Sequence, residues 1–337
     1  MRSYHAMLGA LALAAGMAAL SAAAQGPHKP LRAGMIGLDT SHAPAFAKAL
    51  TDPKAEGDLA DVRLVAAFPG GSPDMPANSF DRVAGYTADL KKMGVRIVGS
   101  IDELLKQVDV VLLESVDGRP HLEQVRPVLA ARKPVFIDKP CAASLPDVIE
   151  IFRLAKQDKV PCFSSSSLRF SPEFQQFRND PKIGAIRGAD ANSPCSLEEH
   201  HPDLFWYGVH GVETLFTVMG PGCKSVTRVH SDGTDFVVGI WDDGRIGTFR
   251  GKRDGKHTYG VLVHGAKGTA FSDKYGGYLP LVVEICKFFK TGKPPVSAAE
   301  TIEIFAFMEA ADESKREGGC PVTLQSVIAK AQQQTGK

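Results

Sequence analysis

The residues after the first predicted strand have the spacing of a phosphate-binding turn in which two of the three glycines are replaced. Such a turn reads Gly-x-Gly-x-x-Gly, where the second glycine lets the backbone approach a pyrophosphate and the third lets the helix pack on the strand. The sequence MIGLDTSHAPAF (35–46) keeps Gly37 but has Asp39 and His42 at the other two positions. A carboxylate at a helix N-terminus that would otherwise attract phosphates predicts weak dinucleotide binding. Asp39, Thr40 and Ser41 also suit the N-cap of a helix that begins near Pro44.

A lysine stands at the end of another predicted strand, in the sequence PVFIDKP (134–140). Lys139 follows this strand directly, and Pro140 fixes the turn after it. The carboxyl ends of parallel strands line the ligand crevice of an α/β sheet, and a lysine held there can accept the proton of a reacting hydroxyl group. The alternative is an ordinary surface lysine before a helix, and we favour the role in the crevice.

Acidic and imidazole side chains are concentrated in EEHHPDLFWYGVH (198–210). These residue types bind divalent ions, but the segment has no compact ligand motif such as HExxH. We therefore interpret it as a solvated, charged loop and assign no metal ligands. The residues concerned are Glu198, Glu199, His200, His201 and Asp203.

The first half of the chain has the pattern of a fold that brings strand ends together. Short apolar runs alternate with amphipathic helical patterns between residues 31 and 166. This alternation predicts an α/β, Rossmann-like domain with a parallel sheet over 31–166. The predicted strands are RAGMIGL, DVRLVAAF, DVVLLES, PVFID and VPCFSSS, and the predicted helices are HAPAFAKAL, IDELLKQ, HLEQVRPVLAAR and LPDVIEIFRLAKQ.

The pattern changes from about residue 167. Alternating strands separated by glycine and aspartate turns predict an antiparallel sheet, and two amphipathic helices follow. The second domain, 167–337, is therefore predicted to be α+β with an open, mostly antiparallel sheet. The strands are KSVTRVHS, DFVVGIWDD, RIGTFRGKR and the pair within TYGVLVHGAKGTAFSD, and the helices are LPLVVEICKFFKTG and AAETIEIFAFMEAADESKREG.

Four segments resemble those of the glucose-fructose oxidoreductase, inositol dehydrogenase and MocA (Gfo/Idh/MocA) family. FIDKPCAASLPDVIEIFRLAKQ is similar to the Glu-Lys-Pro segment of that family, with Asp138 in place of the glutamate. ESVDGRPHLEQVRPVLAARKPV, SSSLRFSPEF and YLPLVVEICKFFKTGKPPVSAAETIEIFAFMEAADESKREG are similar to its Thr-Pro-Asn-x-x-His loop, its Arg-Phe-x-Pro stretch and its C-terminal helices. The resemblance implies hydride transfer between a nicotinamide cofactor, NAD or NADP, and a carbon of a sugar or cyclitol.

The resemblance also implies roles for single residues. Lys139 matches the catalytic lysine, and WYGVHGVE (206–213) matches an Asp-x-Gly-x-His-x-x-Asp pattern whose histidine is His210. His210 is therefore the second predicted catalytic residue, while Trp206 replaces the first aspartate and offers a face for a pyranose ring. The other predicted substrate-binding residues are Arg169, His121 and Glu213, and the predicted cofactor-binding residues are Gly37, Asp39, Ser41, His42, Glu114 and Asp138.

Two features beyond the glycine turn argue against ordinary NAD(P) use. The second predicted strand is followed by Pro69-Gly70-Gly71-Ser72, which offers no acid to an adenine-side ribose and no adjacent arginine to a 2′-phosphate. The N-terminal sequence MRSYH has a single arginine, which is typical of export in the unfolded state rather than with a bound cofactor.

Three functions therefore stay open. Redox chemistry with NAD(P) is the first hypothesis from the resemblance. The second is a cofactor-independent carbohydrate lyase, epimerase or hydrolase with Lys139 and His210 as acid and base, in which Asp39, His42, Glu114 and His121 add polar groups or hold a metal ion. The third is a sugar-binding protein that has lost its catalytic function.

Residues 1–24 predict a secretory signal peptide, with Arg2, an alanine-rich apolar run and small residues before Gln25. We expect a periplasmic or secreted protein with no membrane span after signal removal. The chain has 39 basic and 38 acidic residues, and the signal carries one of the basic ones, so the mature chain is neutral. Nucleic acid is therefore not an expected partner, whereas a small carbohydrate is.

The cysteines and the open sheet give two further expectations. Six cysteines without a CxxC pair predict buried free thiols rather than disulfides. The resemblance implies a homo-oligomer that forms through the open sheet.

Overall fold

The computed structural model describes residues 29–335, so the predicted signal peptide lies outside the described residues. The strands in this range are β1 Leu31–Ile36, β2 Val62–Phe68, β3 Arg96–Ile97, β4 Val110–Leu113, β5 Val135–Asp138, β6 Cys162–Ser165, β7 Ile186–Pro194, β8 Cys223–Ser231, β9 Thr234–Trp241, β10 Ile246–Lys252, β11 Gly260–Gly265, β12 Thr269–Ser272 and β13 Val322–Thr323. The α-helices are α1 His42–Thr51, α2 Asp81–Lys92, α3 Ile101–Leu105, α4 His121–Ala130, α5 Leu145–Asp158, α6 Pro172–Gln175, α7 Asp203–Trp206, α8 Val209–Met219, α9 Leu279–Thr291, α10 Ala298–Arg316 and α11 Leu324–Gln332.

Six strands form a parallel sheet in the order β3-β2-β1-β4-β5-β6. All four residues of β4 and all four of β5 are buried, as expected when helices cover both faces of a parallel sheet. The strand order reverses between β1 and β4, and in such sheets the ligand crevice lies outside the carboxyl ends at this reversal. The predicted Rossmann-like α/β fold is confirmed.

Seven strands form the second sheet, in the order β12-β11-β7-β10-β9-β8-β13. Strands β7 and β10 are parallel, and the other neighbouring strands are antiparallel. Helices α8 and α10 pack against one face of this sheet. The predicted α+β unit with an open, mostly antiparallel sheet is confirmed.

Helix α9 returns the chain to the first sheet, although its sequence lies in the second predicted domain. The ring of Phe288 is 4.8 Å from that of Phe163 in β6, which in turn is 5.0 Å from Phe136 in β5. This packing holds the start of α9, with Tyr275 and Tyr278 before it, near the carboxyl ends of the parallel strands. The hydroxyl of Tyr278 is 3.4 Å from Oγ of Ser41, just before α1.

Helices α2, α8 and α11 and strand β7 fall where the sequence predicted no regular structure. Helix α8 is buried at all eleven positions, so it lacks the polar face that reveals an amphipathic helix. Helix α2 buries Leu90 alone, so it lacks an apolar stripe. Strand β7, with the sequence IRGADANSP, has few of the branched and aromatic residues that mark strands.

The remaining expectations concern thiols and membranes. All six cysteines are free; five are buried as expected, while Cys320 is exposed. Within residues 29–335, helices of the length and apolarity needed to cross a membrane are absent.

Candidate active site

A cavity of about 280 Å³ lies between the two sheets, at the carboxyl ends of the parallel strands. The first sheet contributes residues that follow β1, β4, β5 and β6, including His42 and Lys139. The second half of the chain contributes His210 from α8 and several aromatic residues. The two predicted catalytic residues, Lys139 and His210, therefore line one cavity.

Lys139 is almost buried and points into an aromatic environment. Its side chain follows the last residue of β5, and the residue is 7% exposed. The Nζ atom lies 5.8 Å from the centre of the Tyr207 ring, close enough for a cation–π interaction. The amine is thus held at the cavity wall, within reach of a bound hydroxyl group.

His210 lies in the first turn of α8 and is anchored by a serine. Its Nδ1 is 2.8 Å from Oγ of Ser166, which also accepts a hydrogen bond from the backbone N–H of Leu168. Burial, together with the nearby Lys139 and His42, holds the pKa of His210 well below its usual value. The imidazole is therefore neutral at pH 7, and its Nε2 is the nitrogen left to a ligand as proton donor or acceptor.

Four tyrosines form much of the remaining wall: Tyr207, Tyr259, Tyr275 and Tyr278. The hydroxyl of Tyr275 is 2.6 Å from Oγ of Ser167. Burial raises the pKa values of Tyr259, Tyr275 and Tyr278, so their hydroxyls stay protonated at neutral pH. Protonated hydroxyls and aromatic faces are suited to a polyol, which offers both hydroxyl groups and C–H faces.

These tyrosines, Ser166, and the two cavity residues Asn78 and Arg82 were not predicted from the sequence. Tyr207 and Tyr278 lie within segments that resemble the family pattern, whereas Tyr259 lies in the connection before β11 and Tyr275 in the connection before α9. A polar aromatic cluster assembled from distant segments leaves no local signal in a single sequence.

Asp39 spans the crevice in which a dinucleotide would lie. Its Oδ1 accepts a hydrogen bond from the backbone N–H of Val116, after β4, at 3.0 Å. Its Oδ2 accepts one from the hydroxyl of Ser79, after β2, at 2.6 Å. The side chain is completely buried, and burial raises its pKa despite these two hydrogen bonds. Asp39 thus joins three loops at the point where the strand order reverses.

The backbone at Gly37 narrows the same crevice at the end of β1. Gly37 has a φ of 90°, and a Cβ atom at this position would lie 2.3 Å from the backbone nitrogen of Ser115. The turns after β1 and β4 are therefore in direct contact. The first glycine of the pattern serves this close approach.

The loop after β2 (69–80), here called the β2 loop, is tied over the crevice. Arg119, which follows β4, donates hydrogen bonds to both oxygens of Asp74 at 2.7 and 2.9 Å. Asp117 accepts from Arg119 and from the hydroxyl of Ser72. Burial opposes ionisation of Asp117, but hydrogen bonds from His201, Arg119 and Ser72 hold its pKa far below the usual range. The loop is thus fixed by charge-assisted contacts.

Apolar contacts add to this closure. Met75 of the β2 loop packs with Val116 and Trp206, and the Trp206 ring lies 4.9 Å from that of His201. Trp206 lines the cavity, as its predicted role requires, but one side of it is covered by this packing. A second cavity of about 550 Å³ lies at the carboxyl ends of β1, β2 and β4. Asp39, Ser72 and Arg119 are among the residues that line it.

The contacts of Asp39 and of the β2 loop determine whether the chain can bind NAD(P) in the manner of a Rossmann fold. The cofactor would have to pass between the ends of β1 and β4 with its pyrophosphate at the start of α1. The buried Asp39 side chain, which accepts hydrogen bonds from Val116 and Ser79, lies across that path, next to the cavity of about 550 Å³. The residues present therefore do not fit the group in that position.

Arg169 and Glu213, predicted to bind substrate, pair with each other beneath the cavity. Arg169 forms ion pairs with Glu213 and Glu300, and both Arg169 and Glu213 are buried. Glu213 also accepts a hydrogen bond from the hydroxyl of Ser165 at 3.0 Å. The structure therefore does not bring these two residues to the cavity wall; they fix the end of β6, next to the serine that anchors His210.

The other predicted residues occupy three positions. His121 is fully buried, with its ring nitrogens 2.8 Å from the carbonyl oxygen of Ser115 and 3.1 Å from that of Cys141, so it ties two turns together. Ser41 and His42 line the cavity. Glu114 and Asp138 lie buried next to His42.

The two buried carboxylates differ in their electrostatics. Burial and the neighbouring Asp138 raise the pKa of Glu114 well above its usual value. The pKa of Asp138 is lowered, because His42 and Lys139 outweigh the effect of burial. Nδ1 of His42 is 2.6 Å from Oδ2 of Asp138.

Comparison with protein families gives a match over the first domain. Residues 31–166 match the Gfo/Idh/MocA family, described as an oxidoreductase family with an NAD-binding Rossmann fold. No curated protein sequence matches the chain.

Several solved structures share the whole fold. A probable dehydrogenase from Thermotoga maritima aligns with a TM-score of 0.72 and 21% identity, over 88% of this chain and 100% of that one. A putative myo-inositol dehydrogenase from Sinorhizobium meliloti 1021 aligns with a TM-score of 0.70 and 18% identity, over 87% and 99%. The scyllo-inositol dehydrogenase from Lactobacillus casei, solved with NAD(H) and scyllo-inositol, aligns with a TM-score of 0.69 and 16% identity, over 88% and 100%.

Proposed function

We propose that this chain, whose residues 31–166 match the Gfo/Idh/MocA oxidoreductase family, acts on a small polyol, a sugar or cyclitol, by proton transfer and without NAD(P) in the family position. A lyase or epimerase reaction on a sugar or cyclitol that carries a carbonyl or carboxyl group fits this proposal, since the C–H next to such a group can lose a proton without electrons passing to a nucleotide. The observation that carries it is the Asp39 side chain, buried between β1 and β4 with hydrogen bonds to Val116 and Ser79.

Lys139 and His210 are the proposed acid and base. They reach the same cavity from different halves of the fold, so a ligand between the sheets contacts both. The neutral His210, anchored through Nδ1, presents Nε2 to the ligand. Removal or delivery of a proton by such positioned groups contributes about 10² to 10⁴ to a rate.

The cavity walls support a polar ligand of modest size. A volume of about 280 Å³ matches a single sugar or cyclitol ring better than a ring together with a nicotinamide nucleotide. The tyrosine hydroxyls and the hydroxyl of Ser167 provide hydrogen bonds, while the tyrosine rings provide faces for C–H groups.

The experiment is a reaction screen in deuterated water. Purified protein is incubated with a panel of sugars, sugar acids, keto-sugars and cyclitols without nucleotide, and products are followed by NMR and mass spectrometry. We expect deuterium incorporation or a new product that is absent with the Lys139→Ala variant. Turnover that occurs only after NAD(P) is added, with reduction or oxidation of the nucleotide, would contradict the proposal.

A dehydrogenase reaction is the second candidate, and the position of Lys139 favours it. The lysine follows β5 where the family resemblance expects the catalytic lysine. In that case the β2 loop and Asp39 would have to move away before the nucleotide binds. The same screen separates the two candidates, because the second requires added nucleotide.

A further inference from the structure

We infer that His42, Glu114 and Asp138 form a binding site for one divalent transition-metal ion, Zn²⁺ or Mn²⁺, beside the cavity. Each residue offers a ligand atom within 4.8 Å of those of the other two, and all three residues are buried. His42 also lines the cavity, so the cluster connects to it. This inference does not depend on the reaction proposed above.

The fold brings the three residues together from distant parts of the sequence. His42 is the first residue of α1, Glu114 follows the last residue of β4, and Asp138 is the last residue of β5. Strand β4 pairs with β1 on one side and with β5 on the other. Ligands carried on the ends of a rigid sheet are held more precisely than ligands on loops.

Three carboxylate oxygens in the cluster are unpartnered. Among residues 29–335, both oxygens of Glu114 and Oδ1 of Asp138 are buried and accept no hydrogen bond. Two adjacent buried carboxylates repel each other, and each unpaired charge costs desolvation energy. A cation between them removes both costs.

The neighbouring cation does not fill this role. Within the described part of the chain, Lys139 forms no ion pair with Glu114 or Asp138, and its Nζ lies over the Tyr207 ring. His42 contacts one oxygen of Asp138, at 2.6 Å, and leaves the other unpartnered.

The donor set favours a particular class of ion. One imidazole nitrogen and two carboxylates are typical ligands of Zn²⁺ and also suit Mn²⁺. Mg²⁺ and Ca²⁺ prefer oxygen ligands only. Two carboxylates also balance the charge of a divalent ion.

A second group of similar residues provides a control. Ligand atoms of Glu198, Glu199 and His200 also lie within 4.8 Å of one another, but Glu199 is exposed. Both oxygens of Glu198 already accept hydrogen bonds from His200 or His201. We therefore expect no tight metal binding there.

The test is metal binding by the mature chain after treatment with EDTA. Equilibrium dialysis against Zn²⁺, and separately Mn²⁺, is followed by elemental analysis. We expect one ion of at least one of these metals per chain, binding at least about 100-fold weaker in Glu114→Gln and in His42→Ala, and unchanged binding in Glu198→Gln. The melting temperature of the wild type should rise with the metal that binds.

Three results would overturn the inference. The first is a wild type that binds neither metal, which would mean that Glu114 is buried as a neutral, protonated carboxyl group; Glu114→Gln would then keep the wild-type melting temperature. The second is equal binding by the wild type and the His42→Ala variant, which decides the matter if Glu114→Gln does not fold. The third is loss of binding in Glu198→Gln.

Discussion

The two residues proposed to transfer protons have different surroundings. Lys139 lies against the aromatic face of Tyr207 at the end of β5. His210 is held by Ser166, which lies next to the ion pair of Arg169 and Glu213. The position of the His210 ring thus depends on residues outside the cavity wall, so a change at Arg169 would act on His210 indirectly.

Replacement of Lys139 by alanine tests its role directly. We expect the rate on the substrate found in the screen to fall by about 10² to 10⁴, because a positioned acid or base is lost. The melting temperature should change little. Lys54→Ala, at an exposed position, is the matched control. An unchanged rate in Lys139→Ala would make Lys139 an ordinary wall residue.

The lowered pKa of His210 predicts a pH dependence of stability. The unfolded histidine takes up a proton near pH 6.5, whereas the folded one resists it because of burial and the nearby Lys139 and His42. Stability linked to His210 is therefore full above pH 6.5 and falls as the pH decreases toward the folded value, by about 1.4 kcal/mol per pH unit.

Urea unfolding between pH 7.5 and 5 measures this effect. His210→Asn keeps an amide near the position of Nδ1, so it preserves the contact with Ser166 but does not titrate. We expect a weaker loss of stability at low pH in this variant than in the wild type. Identical slopes in the two proteins would contradict the neutral, buried His210.

At the scale of elements, the ends of β1, β2 and β4 are tied into one unit. Asp39 links all three, and Arg119 joins Asp74 of the β2 loop to Asp117 after β4. Buried hydrogen bonds of this kind are costly to break on one side only. The β2 loop is therefore a fixed cover in this structure.

Substitution of Asp39 separates charge from bulk. Asp39→Asn removes the charge and Asp39→Gly removes the whole side chain, so we expect NAD(H) affinity to rise in the order wild type, Asn, Gly. The glycine variant should bind at least about tenfold more tightly than the wild type, which corresponds to about 1.4 kcal/mol. It should also be less stable by about 1 to 3 kcal/mol, because Val116 and Ser79 lose a buried acceptor. Equal affinities by titration calorimetry would refute the blocking role.

The sequence predicted the elements that have a clear period and the residues at strand ends. It placed Lys139 correctly at the end of a strand because PVFID is a short apolar run before a lysine and proline. It identified Asp39 as a departure from the glycine pattern, but the partners Ser79 and Val116 follow other strands and leave no local signal. The fully buried α8 and the four cavity tyrosines were missed for the same reason: tertiary contacts, not local sequence, define them.

At the scale of the whole molecule, the second sheet leaves one face uncovered. Val229, Ile240, Ile246 and Phe271 are large apolar residues that are 47–64% exposed, and Ile240 pairs with Ile246 across β9 and β10. Apolar side chains exposed on one face of a sheet favour association. We therefore propose that two copies of the chain pair through this face.

Sedimentation measures this pairing. We expect the wild type to form a homo-oligomer, and Ile240→Asp with Ile246→Lys to shift it to a smaller species. Phe80→Asp, at an exposed apolar residue outside the sheet, should leave the assembly unchanged. A monomeric wild type at micromolar concentration would contradict the proposal.

The most direct test of the account is whether the wild-type chain binds a nicotinamide nucleotide at all. The purified protein is denatured and the released small molecules are examined by absorbance and mass spectrometry, and the native protein is titrated with NAD⁺, NADH, NADP⁺ and NADPH. Because the buried Asp39 carboxylate lies across the crevice between β1 and β4 and is tied to the β2 loop, we predict no copurified nucleotide and no binding heat at neutral pH. A stoichiometric nucleotide in the purified protein, or tight binding in the titration, would contradict the account and favour an ordinary NAD(P)-dependent dehydrogenase.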